Sequence, residues 1–260
     1  MAGLTTGFAK TSVGRVRQRN EDAFLVMAEK DLYVVADGMG GHQRGDVAAH
    51  LCIDAISEWF TGEMDDETTR ELVRRVRRSW GIQHRNQANL VASIEYANRL
   101  IVNTARQSDA FKGMGTTIVA TIFHGSTLFV VYSGDSRVYR FRSGRLRQLS
   151  EDHSLVNEYI RLQMIKPSDA RTFPYRNVIM KALGLKSSAD IEFFTRRAAP
   201  CDVYLLCSDG LTDMIEDEEI RRILASSGTL DERCQWLVDA AMDAGGFDNI
   251  TALLVEYDRS

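Results

Sequence analysis

Asp22, Asp37, Asp135, Asp209 and Asp248 each sit at the end of an apolar, strand-like run. Asp22 opens DAFLVM and Asp37 closes DLYVVAD. Asp135 follows TLFVVYSG, Asp209 follows DVYLLCS, and Asp248 precedes NITALLVEY. Four of them are followed by a turn-forming residue: Gly38, Ser136, Gly210 and Asn249. A strand end holds a side chain rigidly, and the turn beyond leaves that side chain open to solvent. Five carboxylates drawn together would repel one another unless a cation neutralised them. Oxygen-only ligands suit the hard ions Mg²⁺ and Mn²⁺, so the chemistry on offer is a metal-dependent reaction on a phosphate. Any one Asp-Gly pair is more simply a tight turn; the metal assignment rests on five together.

A two-metal hydrolase needs a bridging carboxylate, further ligands, a water nucleophile and a phosphate clamp. Asp37 is the best bridge, because Gly38 lets the backbone turn sharply and bring its carbonyl to a metal as well. Asp209 and Asp248 complete one shell. Glu21 and Asp22 act through metal-bound waters, since Mg²⁺ dehydrates reluctantly. Arg17, five residues before Asp22, offers the planar fork that matches phosphate oxygens, although alone it would pass for a surface arginine.

The elements that must position these residues follow from periodicity. Strands are predicted over 5–13, 22–28 and 31–36. A helix carries Ala48, Leu51, Cys52, Ala55, Ile56, Trp59 and Phe60 on one stripe. A second helical region runs through Leu72, Val76 and Trp80. After a polar break near 81–87 it continues through Leu90, Ile94, Ala97 and Ile101. A meander of strands at 116–123, 127–133, 137–142 and 145–149 has short links, which call for antiparallel pairing. LYVVA, LFVVY and VYLLC do not alternate, so those strands are covered on both faces. Strands near 190–195, 202–208 and 249–257 and helices near 217–225 and 230–243 complete the pattern. Sheet against sheet inside, with helices outside, satisfies it. The irregular stretch 153–188 is expected to form a flap beside the site. Three prolines and no Ser/Gly tract leave no domain boundary, so 1–260 is expected to be one domain.

The bulk numbers bound the function. At 260 residues and 44% hydrophobic, the chain can bury a substantial core. A net charge of −4 gives no reason to expect nucleic acid or a membrane as partner. The basic run Arg74-Arg75-Val76-Arg77-Arg78 fits a solvated helix face. No apolar stretch approaches the ~18 residues needed to span a bilayer, and the N-terminal segment lacks a signal-peptide core. Cys52, Cys201, Cys207 and Cys234 read as reduced core residues of a cytoplasmic protein. None is followed six residues later by arginine, as a cysteine-nucleophile phosphatase would require.

Seven short motifs occur in order: RQRNED at 17–22, DGMGGH at 37–42, GMGTT at 113–117, SGDSR at 133–137, LSEDHS at 149–154, CSDGLTD at 207–213 and FDNIT at 247–251. In this order, and over nearly the whole chain, they resemble the metal-dependent serine/threonine protein phosphatases of the type 2C class in their bacterial form. The resemblance implies an α+β, four-layer αββα sandwich of two antiparallel sheets flanked by helices, with two Mg²⁺ or Mn²⁺ ions in a channel at one edge. It implies that Asp37 bridges both ions, with the Gly38 carbonyl on one and Asp209 and Asp248 on the other. A third, weaker site would use Asp135 and Asp209, and Arg17 would hold the substrate phosphate. The reaction expected is in-line attack of a hydroxide held between the ions on phosphoserine or phosphothreonine, with no covalent phosphoenzyme. Phosphorylated proteins, made by a separate Ser/Thr kinase, are the partners implied, and a monomer is expected.

The chain departs from the family at several points. Ser12 stands where an aspartate is common, and Asp46 where glutamate is common. Met39 replaces the histidine that eukaryotic members carry directly after Asp-Gly, which leaves the proton donor to His42 or a water. For His42 and His153, a structural hydrogen-bonding role fits at least as well. Two other functions compete: a non-catalytic binding module on the same fold, and a phosphoesterase acting on small molecules.

Overall fold

A computed structural model of the chain describes residues 5–40 and 44–258. In chain order the strands are β1 (Thr5–Ser12), β2 (Asp22–Met27), β3 (Leu32–Met39), β4 (Gly115–Thr116), β5 (Ile118–His124), β6 (Thr127–Ser133), β7 (Arg137–Arg142), β8 (Arg145–Gln148), β9 (Glu192–Arg197), β10 (Asp202–Cys207) and β11 (Ile250–Tyr257). The helices are α1 (Gly45–Thr61), α2 (Asp66–Trp80), α3 (Arg85–Gln107), α4 (Leu155–Arg161), α5 (Asp209–Thr212), α6 (Asp217–Leu224) and α7 (Leu230–Asp243). One sheet has the order β1-β11-β10-β7-β8. The other runs β2-β3-β5-β6-β9, with β4 paired to the end of β3.

The non-alternating strands are explained by burial on two sides. Tyr33 and Val35 of β3 meet Tyr204 and Leu206 of β10 and Leu253 and Val255 of β11 in the core between the sheets. Leu32, Val34 and Ala36 point the other way, into a second core with α1 and α3. On the opposite outer face Val203, Leu205 and Cys207 pack against α6 and α7. The result is the expected four-layer αββα sandwich, with the apolar residues of the inner strands facing one apolar layer or the other.

Local signals start and stop the helices where the pattern demands. The Asp65 carboxylate accepts from the Glu67 and Thr68 amides at the start of α2. Thr229 and Glu232 form a reciprocal capping box on α7. Gly62 ends α1 at φ +82°, a left-handed turn that glycine adopts without a steric cost.

Four expectations need correction. The Gly134-Asp135-Ser136 link does not close a hairpin. β6 already has β5 and β9 as neighbours, so the chain leaves that sheet and enters the other as β7. Gly134, at φ +105° and tight against Thr117, makes the crossover. The predicted strand 116–123 is broken, with β4 peeling off to pair with Gly38 and Met39. The stretch 153–188 holds α4 and a 3₁₀ turn at Pro167–Thr172; α4 was hidden because it is short and buries only Val156. Cys201 is exposed, while the other three thiols are buried and free. No helix among the described residues is long and apolar enough to cross a membrane.

Candidate metal centre and phosphate site

Asp22 and Asp37 stand directly opposite each other on the antiparallel pair β2–β3. The Asp37 backbone is fixed by the GMGTT motif. Its amide donates to Thr117 Oγ at 3.1 Å, and its carbonyl accepts from the Thr117 amide at 2.8 Å and from Thr116 Oγ at 2.9 Å. Asp22 is buried and ties the two sheets together: its Oδ2 accepts from Ser208 Oγ at 2.8 Å and from Thr251 Oγ at 2.6 Å. Its Oδ1 is buried with no hydrogen-bond partner.

The other three aspartates arrive from separate strand ends. Asp209 follows β10 and begins α5, Asp248 lies just before β11, and Asp135 sits in the crossover between the sheets. Asp22 and Asp135 are buried, whereas Asp37, Asp209 and Asp248 remain partly open. Desolvation, then the charges of Asp22, Asp209, Asp135 and Asp248, hold the Asp37 carboxyl well above the usual carboxylate range. Asp209 is pushed up in the same way, by desolvation and then by Asp135, Asp213 and Asp248. Burial drives Asp22 up to about 6 against the pull of its two hydroxyl donors. Burial and Asp152 drive Asp135 up to about 6. These groups raise one another because they share one region of low dielectric with too little positive charge. Sequence reasoning overlooked Asp213, although it stands in CSDGLTD one helical turn after Asp209.

Gly38 and Gly45 press their backbones together on the Glu21 side of the site. A Cβ on Gly38 would lie 2.1 Å from the Gly45 carbonyl oxygen. A Cβ on Gly45 would lie 2.5 Å from the Gly38 carbonyl oxygen and 2.7 Å from Glu21 Oε2. The gap keeps that carbonyl and carboxylate side by side. Burial and then Asp46 raise the Glu21 carboxyl.

The residues present fit hard divalent ions. The donors are all oxygen, two buried carboxylate oxygens (of Asp22 and Asp135) have no partner, and the charges lack compensation. Among the described residues no three acidic, histidine or cysteine side chains close into a finished cage. An open arrangement of this kind suits ions that retain much of their water.

Arg17 reaches the same place from the β1–β2 loop, and its Nη2 donates to Asp248 Oδ2 at 2.7 Å. Asn249 holds that loop: its Nδ2 donates to the carbonyls of Val13 at 2.9 Å and Arg19 at 2.8 Å. Sequence reasoning assigned Asn249 only a turn. Ser12, at the loop's start, accepts from the Gly14 amide at 3.2 Å. His42 lies outside the described residues. His153 has a structural place: its Nδ1 accepts from the Gly134 amide at 3.1 Å, and its ring stacks on Tyr132 with centroids 5.1 Å apart. Beside the carboxylates opens a cavity of about 620 Å³, whose lining includes Asp135, Asp209, Asp213, Asn157, Arg176 and Asn177.

Residues 11–245 match the family model described as protein phosphatase 2C. The chain is 39% identical over 252 residues to a serine/threonine phosphatase stp of Listeria monocytogenes, covering 96% of this chain and 94% of that one. It is 33% identical to the protein phosphatase PhpP of Streptococcus pneumoniae, covering 96% of each. Among solved structures it resembles the Mycobacterium tuberculosis serine/threonine phosphatase PstP/Ppp, with TM-score 0.83 and 34% identity over 98% of this chain and 99% of that one. It also resembles a PstP catalytic domain in complex with two manganese ions, with TM-score 0.81 and 32% identity over 98% of this chain and 99% of that one.

Proposed function

We infer, from the premise that this chain belongs to the protein phosphatase 2C family, how its own residues divide the work of hydrolysing a phosphate ester. The chain is a metal-dependent serine/threonine phosphatase. The convergence of Asp22, Asp37, Asp135, Asp209 and Asp248 on one region, with two of their oxygens unpartnered, carries the assignment of the site.

Asp37 would bridge two Mg²⁺ or Mn²⁺ ions, with Asp209 and Asp248 on one and the Gly38 carbonyl on the other. Glu21 and Asp22 would hold the water around them, and Asp135 with Asp209 would serve a third, weaker site. When bound, such ions lower the pKa of water toward neutrality and spread the charge on the phosphoryl oxygens. Arg17 orients the substrate phosphate through its guanidinium fork. The seryl or threonyl leaving oxygen takes its proton from His42 or from water. No thiol serves as nucleophile: burial pushes Cys52, Cys207 and Cys234 each up to about 12. The exposed Cys201 precedes β10, at the end opposite Asp209.

The substrates are phosphorylated proteins made by a separate Ser/Thr kinase. The 153–188 stretch acts as a flap that contributes to substrate choice. The chain acts as one catalytic unit, monomeric and cytoplasmic. The test is release of phosphate from a phosphothreonine peptide with Mn²⁺ present and after exhaustive chelation. Turnover with Mn²⁺ that disappears on chelation supports the assignment, and equal turnover in both refutes it.

A further inference from the structure

We infer that Asn249 is a positioning residue for phosphate binding. It fixes the backbone of the loop that carries Arg17, and so the inference rests on the clamp role proposed above for Arg17. The loop between β1 and β2 is open to solvent, and Arg15, Val16, Arg17, Gln18 and Arg19 are all exposed. Packing holds the loop's entry, where Gly14 lies tight against the Asp248 and Gly246 carbonyls and the Arg15 amide donates to the Gly246 carbonyl at 2.7 Å, but does little for residues 16–19. Asn249 is 5% exposed, and both its side-chain donors and its side-chain oxygen bond to this loop. Its two N–H donors go to the carbonyls of Val13 and Arg19 at 2.9 and 2.8 Å, and its oxygen accepts from the Glu21 amide at 2.8 Å. One amide group thus ties the loop's entry to its exit.

The same dipeptide also meets the side chain in question, because Asp248 accepts from Arg17 at 2.7 Å. Asn249 is itself held against α5, where a Cβ on Gly210 would lie 1.9 Å from its carbonyl oxygen. Loop, clamp and Asp209 element are therefore referenced to one point. Two donors and an acceptor in one planar group are what an amide supplies. Aspartate has the same shape but no donor, and would face the carbonyls of Val13 and Arg19 with a carboxylate.

The test uses inorganic phosphate as a competitive inhibitor of Asn249→Asp, Arg17→Ala and the double variant. Arg17→Ala is expected to raise the inhibition constant about tenfold, and Asn249→Asp by a similar factor. The double variant is expected to exceed Arg17→Ala by less than about twofold, because residues acting through one another are not additive. Amide exchange on the wild-type chain gives a second readout: the Glu21 amide should exchange as slowly as those of β11 while Gln18 exchanges freely. An Asn249→Asp variant that binds phosphate normally, multiplicative effects in the double variant, or a Glu21 amide as fast as Gln18 would overturn the inference. If Arg17→Ala alone leaves phosphate affinity unchanged while Glu21 is protected, the clamp role of Arg17 fails and the hold of Asn249 on the loop stands.

Discussion

Arg17 and Asp248, 231 residues apart in the chain, meet in an ion pair with Nη2 2.7 Å from Oδ2. Both partners are well exposed, with side-chain exposures of 52% and 37%. Such a pair contributes about 1 kcal/mol or less, so it costs little to exchange the carboxylate for a phosphate. Arg17→Ala is therefore expected to leave the thermal midpoint nearly unchanged. It should raise KM for a phosphopeptide about tenfold or more, since a charge-assisted hydrogen bond is worth roughly 1.5–3 kcal/mol, with a smaller effect on kcat. Steady-state kinetics decide this, and an unchanged KM removes the clamp role.

Asp37→Asn separates stability from activity. The Asp37 carboxyl is held far above its ordinary range by desolvation and by four neighbouring carboxylates. A neutral amide of the same shape removes that conflict when no divalent ion is present. Thermal unfolding in chelator should show an equal or higher midpoint for the variant. Hydrolysis of p-nitrophenyl phosphate with Mn²⁺ should be lost in this variant and in Asp248→Asn. Full turnover in both would refute the ligand assignment.

The metal-free protein should lose stability as pH rises. Asp22 and Asp135 ionise near 6 in the folded chain against an ordinary 3.8. Between those values the unfolded chain binds fewer protons, so the slope of unfolding free energy with pH is negative. Their protonated forms are accommodated below about 4, and the full penalty applies above about 6. The chelated protein should therefore melt lower at pH 7.5 than at pH 5, and Mn²⁺ should remove much of that difference. A midpoint that rises with pH over this range in chelator contradicts the electrostatics described.

The carboxylates were legible in the sequence because their signal is local: an apolar run, an acid and a turn residue, as in Asp37-Gly38 or Asp209-Gly210. Whole-chain pairing has no such signal. Thr5 pairs with Tyr257 across the entire sequence, and that pairing brings the β1–β2 loop to the Asp248 end of β11. The sheet change at Gly134-Asp135-Ser136 was unreadable for a related reason. A three-residue link looks like a hairpin unless it is known that β9 already occupies β6's free edge. Asn249 went unread because its three partners lie 228 to 236 residues away in sequence.

Gly38→Ala tests the close approach of the two backbones. The added Cβ would meet the Gly45 carbonyl oxygen at 2.1 Å and its carbon at 2.3 Å, both main-chain atoms that cannot rotate aside. Overpacking of this kind costs about 1–3 kcal/mol. Displacing the Gly38 carbonyl should also weaken Mn²⁺ dependence, read as a rise in the Mn²⁺ concentration for half-maximal activity. Unaltered stability and Mn²⁺ requirement would show that the contact is not needed.

Calorimetric titration of Mn²⁺ into chelator-stripped protein measures the cation pocket itself. At least two ions per chain are expected for the wild type, with the stoichiometry reduced in Asp37→Asn. Binding in that variant indistinguishable from wild type, or no Mn²⁺ uptake by either protein, would contradict a shared site built around Asp37.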